Sequence, residues 1–382
     1  MSVFHAAKIT RAPMLTLAAV GLNWGGLAGL MPDIKANVAA SDAVLGAVLL
    51  ASAVGSMIAL SFAPRFGQIA GTLALPLSGL GIAVVILLPA LAVSPLTLAL
   101  ALFFTGATVA LADMTANVRI AQLEARRGLH LQSVNHAVFS LSFGLTAFAV
   151  AFARQAGYGP TQVLPVIAVV ALAAVLLGWD RRALPPVEDP ADAAKGATPP
   201  WDVVLIAGLI LFAGFVGENA TEAWSALHIE RTIGAPAGEG SFGPATLGLV
   251  MFAGRLGGQV VATRFGEARL ILVSAVLGSL GAVIIALAPT KGVVLAGVAV
   301  VALGMAVIVP ATNSIIGRTV SDRARPLAIS RAWMAGLLGF FIGPAMMGGL
   351  AQLSSLRLSF GAVALIVALI VPAILALNRR AG

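Results

Sequence analysis

Glu218 and Glu222, in the stretch GENATEAW, stand near the end of an apolar run in a chain that is 59% hydrophobic and only 10% charged. Residues four apart on a helix lie one turn apart on a single face. Two carboxylates on a poorly hydrated face disfavour simultaneous ionisation, so one of them can hold a proton. The plainer reading makes Glu222 a water-interface residue and Glu218 half of a structural ion pair. Arg255 is the basic residue near the middle of an apolar run, and a guanidinium there needs a counter-ion. Glu218 is the natural one, as a fixed strut or as a switch.

Asp113 and Asn117 repeat the four-residue spacing, and Asn135 and His136 open the next run. A contact between Asp113 and His136 would respond to pH, because histidine titrates near neutrality; a hydrogen-bonded interfacial histidine is the alternative. Asn23 and Trp24 lie mid-run, and an amide beside a flat indole with one donor suits a sugar ring or another amphipathic solute. Asn23 could equally join helices. Asn219 and Trp224 flank the paired glutamates, Trp224 as an interfacial aromatic or as an outer lid. Asn313, with Arg331 and Trp333, reads as an anchor or gate contact.

The elements that must carry these groups are membrane helices. Soluble domains are typically about 25% charged, whereas this chain has a mean hydropathy of +1.02 and repeated apolar segments of about 20 residues, each able to cross a bilayer. The runs are continuous and rich in Ala, Leu and Gly, which argues against a β-barrel. Spans are expected near 12–31, 43–63, 69–89, 95–117, 132–154, 160–179, 201–228, 244–264, 269–288, 292–314, 326–351 and 356–378. Twelve spans put both termini on one side. Of the 23 basic residues, 17 fall on that side, and the other carries only Lys35, Arg154, Arg231, Lys291 and Arg357. The positive-inside rule makes the terminal side cytoplasmic.

The net charge of +8 is spread over segment ends with no basic face, so no nucleic-acid partner is expected. The absence of cysteine excludes disulfides and cysteine-bound metals. No metal-ligand spacing, nucleophile elbow or Walker A loop occurs, so neither a metal, a cofactor nor direct ATP use is expected, and an enzyme is disfavoured. The polar, Pro-rich segment 181–200 reads as a linker between residues 1–180 and 201–382. The halves echo each other: LGAVLLASAVGS from Leu45 parallels LGLVMFAGRLGG from Leu247, and each is followed by Arg-Phe-Gly, at Arg65 and Arg264.

Two six-helix halves, a charged linker and Arg-x-Gly after the second helix of each half resemble the major facilitator superfamily of secondary transporters. MPDIKANVAASDAVLGAVLLASAVGS, DMTANVRIAQLEARRG, NHAVFSLSFG and GENATEAWSAL are similar to its fucose-permease-like and related bacterial inner-membrane branch. The resemblance implies an all-α fold of two pseudo-symmetric bundles that rock about a central site. It also implies a small-molecule substrate, a proton or other cation gradient, lipid surroundings, a monomer, and gating contacts at Arg65, Arg119, Arg264 and Arg331. Two positions depart from the pattern: Pro64 directly precedes Arg65, and Gln259 stands where relatives tend to carry aspartate. A sugar-like solute is favoured over export of drug-like compounds, and a sensor without net transport is the reading from another class.

Overall fold

The computed structural model describes residues 3–129, 131–182, 198–321 and 323–381, and within these every side chain except those of 3–4, 258–263 and 380–381. Most of the expected linker and the side chain of Gln259 therefore lie outside the described residues. After a short helix, Val3–Ile9, twelve helical segments follow among the described residues, with no strand. They are α1 (Arg11–Asn37), α2 (Asp42–Ala70), α3 (Ala74–Val85), α4 (Pro95–Arg127), α5 (Gln132–Gln155), α6 (Pro160–Leu177), α7 (Trp201–Leu227), α8 (Phe242–Phe265), α9 (Glu267–Leu287), α10 (Lys291–Met305, resumed at Ile308–Thr319), α11 (Arg325–Leu353) and α12 (Leu356–Ala368, resumed at Ile370–Ala381). Among the described residues ten stretches are long and apolar enough to cross a bilayer, one of which, Asp42–Leu91, holds both α2 and α3.

Proline explains three interruptions. A proline ring displaces the carbonyl four residues before it. The helix of α3 ends at Val85, four before Pro89; α10 breaks at Ala306, four before Pro310; α12 breaks after Ala368, four before Pro372. Helix ends follow backbone chemistry rather than hydropathy. α4 runs ten residues past its expected apolar limit and stops where Gly128 takes a left-handed φ of 61°. α2 continues through Pro64 to Ala70 and ends at Gly71, with φ 53°. The expected connection around Arg65 is thus helical, because nothing before Gly71 terminates the hydrogen-bond ladder.

The segments form two compact units, one of Met1–Pro186 with Ala223–Phe252 and one of Val187–Glu222 with Ala253–Gly382. Small residues let backbones meet in both, as expected where lipid supplies no hydrophobic drive between helices. In the first unit a Cβ on Gly144 of α5 would lie 2.7 Å from the Leu249 nitrogen of α8. In the second, a Cβ on Gly304 of α10 would lie 2.6 Å from the Gly278 nitrogen of α9. Among the ten apolar stretches those of α1 and α7 are the most enclosed, 78% and 67% buried against 28% to 56% for the rest. These two helices carry Asn23, Trp24 and the paired glutamates.

Candidate functional site

The second unit brings Glu218 and Arg255 together. Nη2 of Arg255 donates to Oε1 of Glu218 at 3.1 Å, with both side chains less than one-fifth exposed. Each charge follows a glycine, and both glycines press on the break in α10: a Cβ on Gly217 would lie 3.0 Å from Sδ of Met305, and one on Gly254 would lie 2.8 Å from Cβ of Ala306. The close approach of α7, α8 and the α10 kink therefore sets the pair. Glu222 lies one turn further along the same face, half-buried, with Asn219 half-buried beside Glu218. One guanidinium thus serves a helix that carries two carboxylates. Such a group can exchange a proton or an anionic solute for part of its ion pairing.

Further along this unit, Nε1 of Trp333 donates to Oδ1 of Asn313 at 3.0 Å. Phe215 packs on Trp333 and on Phe340, with ring centroids 5.6 and 4.7 Å apart. Arg331 is exposed, its Nη1 3.6 Å from Sδ of Met334, and Arg264 is exposed at the end of α8.

In the first unit the α4–α5 junction gathers three predicted residues, Asp113, Asn117 and His136. Nδ2 of Asn117 donates to the carbonyl of Asp113 at 2.9 Å and to its Oδ2 at 3.0 Å. Oδ1 of Asn117 accepts from Nε2 of Gln132 and lies 3.3 Å from Nε2 of His136. Asp113 thus reaches His136 through Asn117. Asn135 points elsewhere, its Nδ2 donating to the Leu131 carbonyl at 2.8 Å. Glu124 accepts from the backbone nitrogens of Leu131 and Gln132, which fixes the start of α5. Arg119 bonds Asp180 at 2.9 Å and the Arg182 carbonyl at 2.8 Å, while Arg65 is exposed at the end of α2.

At the far end of α5 lies a cluster that sequence reading missed. Arg154, with a side chain only 1% exposed, forks onto Asp33 of α1 at 2.7 and 2.6 Å. It also reaches Glu230, with Nη2 to Oε2 at 3.0 Å, and Oγ of Ser241 at 3.1 Å. Glu230 sits in the π turn His228–Thr232 that prolongs α7, and its Oε1 accepts from the nitrogens of Gly238 and Gly240 at 3.0 and 3.1 Å. Asp42 adds a second knot, bonded to Arg231 and 3.2 Å from Nζ of Lys35. The available signal was balance: of the five basic residues on the side poorest in them, Lys35, Arg154 and Arg231 are each paired with an acid.

Several buried polar groups of the first unit have no hydrogen-bond partner: both amide atoms of Asn23, Oδ1 of Asn135, Nε1 of Trp224 and Oγ of Ser225. Trp224 is fully buried, which overturns its reading as an interfacial aromatic. Trp24 is half-buried next to Asn23.

The sequence model of the Major Facilitator Superfamily matches residues 14–291 and 223–381. An uncharacterised MFS-type transporter of Yersinia pestis is 28% identical over 361 residues, covering 94% of this chain and 93% of that protein. The membrane protein MosC of Rhizobium meliloti is 26% identical over 339 residues, covering 87% and 81%. Among solved structures, the nucleoside transporter NupG aligns with a TM-score of 0.72 at 15% identity over 96% of this chain and 99% of its own. A bacterial homologue of the lysosomal transporter Spinster, inward-facing and occupied, aligns with a TM-score of 0.67 at 16% identity over 98% and 97%.

Proposed function

The chain belongs to the major facilitator superfamily, and we propose on that footing that it is a proton-coupled secondary transporter of a small polar or amphipathic organic solute. It works by alternating access as a monomer in a bacterial inner membrane, with both termini cytoplasmic. The observation that carries the coupling is the pair of Glu218 and Arg255 with Glu222 one turn away. Three ionisable groups on two helices are expensive unless the site uses them. Loading a proton on one carboxylate leaves the guanidinium to the other, so proton and solute can compete for the same cation. Asp113 and His136 form the second titratable station.

A sugar-like solute is favoured by Asn23, Trp24 and the unmet donors and acceptors around Trp224, since hydroxyl groups satisfy amides and an indole N–H while a ring face stacks on tryptophan. Nucleosides, which join a sugar to a flat base, belong in the same class. Phe215, Trp333 and Phe340 favour a second reading, export of amphipathic aromatic compounds against protons.

Purified protein is warmed against monosaccharides, nucleosides and amphipathic cations, because a bound solute raises the melting temperature by mass action. The solute that does so is then offered to proteoliposomes. Uptake that follows an imposed proton gradient supports the proposal, stabilisation by cations alone favours the export reading, and equilibration indifferent to the gradient refutes proton coupling.

A further inference from the structure

We propose that Gln132 is a positioning residue of the transport cycle: it holds neutral His136 with its Nε2 lone pair presented, and protonation of His136 displaces it so that His136 joins Asp113 through Asn117. The amide orientations carry the argument. Both hydrogens of Asn117 Nδ2 are committed, one to the Asp113 carbonyl at 2.9 Å and one to its Oδ2 at 3.0 Å. Oδ1 of Asn117 must therefore face α5, where Nε2 of Gln132 donates to it. The second hydrogen of that Nε2 faces Nε2 of His136 at 3.0 Å. An amide N–H can only donate, so Nε2 of neutral His136 accepts and its proton sits on Nδ1.

A proton arriving from water bonds to that Nε2 lone pair and breaks no covalent bond. The ring then presents an N–H to the Gln132 N–H, two donors 3.0 Å apart, while Oδ1 of Asn117 stands 3.3 Å away as the acceptor. The imidazolium moves its hydrogen bond to Asn117, and the Gln132 amide has to turn away. Its backbone stays, because Glu124 accepts from the Gln132 nitrogen at 3.0 Å. Asn117 then stands between a cation and the Asp113 carboxylate and connects α5 to α4 in series. Charged or titratable side chains on segments packed against this end of α5 include Arg119, Glu124, Arg126 and Arg127 of α4, Arg11 of α1, and His5 and Lys8 of Val3–Ile9. Gln132 meets the reacting nitrogen directly, at 3.0 Å.

The inference rests on the proton-coupled reading, but its test needs neither solute nor gradient. Histidine-15N protein in nanodiscs is followed by NMR, with His136→Asn assigning the signal among the four histidines. At high pH the Nδ1–H tautomer is expected in the unaltered protein. In Gln132→Glu, whose carboxylate only accepts, the proton moves to Nε2; Gln132→Met, which keeps length but loses the donor, abolishes the Nδ1–H preference. An Nε2–H tautomer in the unaltered protein, or one tautomer in all three proteins, overturns the role of Gln132 and leaves Glu218 untouched. Failure of proton coupling at Glu218 would leave the tautomer result standing.

Discussion

The two ends of α5 are built from opposite materials at His136 and Arg154, which stand about 27 Å apart along the helix at 1.5 Å per residue. At one end Arg154 is held by full charges, Asp33 and Glu230, with Ser241 and two loop nitrogens completing the shell. At the other, His136 is held by neutral amides that can each exchange partners. A guanidinium stays charged at any physiological pH, so the first end is fixed unless its carboxylates change. One proton is enough to rearrange the second. The contrast teaches that a single helix can be locked at one end and poised at the other, with a tight backbone crossing at Gly144 between them.

The sharpest way to break this comparison is to remove Arg154. Arg154→Ala strands two carboxylates in a buried site and should cost about 3 to 5 kcal/mol, read as a large fall in unfolding midpoint; Arg154→Lys, which loses the fork, should recover only part. Next in size is the crossing itself. Gly144→Val drives a side chain into the Leu249 backbone, 2.7 Å from its Cβ, and should cost about 1 to 3 kcal/mol in the same assay.

His136→Asn should cost about 1 kcal/mol or less yet abolish any pH dependence of the protection factors for hydrogen exchange at the α4–α5 junction, which sharpens the contrast because Arg154→Lys should leave that dependence intact. The smallest effect belongs to Asp180 beyond α6. Burial pushes its carboxyl up, but the Arg182 N–H and the Arg119 guanidinium more than offset this and hold it below the usual carboxylate range. Its contribution is therefore complete above about pH 4, the unfolded value, and is lost as pH falls through the lower native one. Asp180→Asn should cost at most about 1 kcal/mol at neutral pH and nothing well below that window, measured by melting at both pH values.

The glutamates of α7 and their arginine were legible because a charge in an apolar run is conspicuous and the four-residue spacing sets a face. The same spacing flagged Asp113 and Asn117. Arg154, Asp33 and Glu230 were illegible for the opposite reason: each stands at a span end, where a charge looks like an ordinary anchor, and they meet across 121 and 76 residues of chain. Gln132 was missed because a glutamine in a first helical turn has many uses, and only its partners reveal this one. The twelve segments were legible as elements, with every start but that of α3 within two residues of its expected place, whereas the ends that glycine or proline sets, at Ala70, Val85 and Arg127, lay four to ten residues from the expected limits. Where charge merely replaced apolar residues, as at the end of α4, the helix ran on.

The central claim is that Glu218 couples proton movement to solute movement. It is tested most directly by adding a stabilising solute to lightly buffered proteoliposomes and following external pH for the unaltered protein and for Glu218→Gln at equal reconstitution. The account predicts a solute-driven pH change in the first that is lost in the second while Glu218→Gln still binds the solute in the melting assay. An undiminished pH change in Glu218→Gln would contradict it.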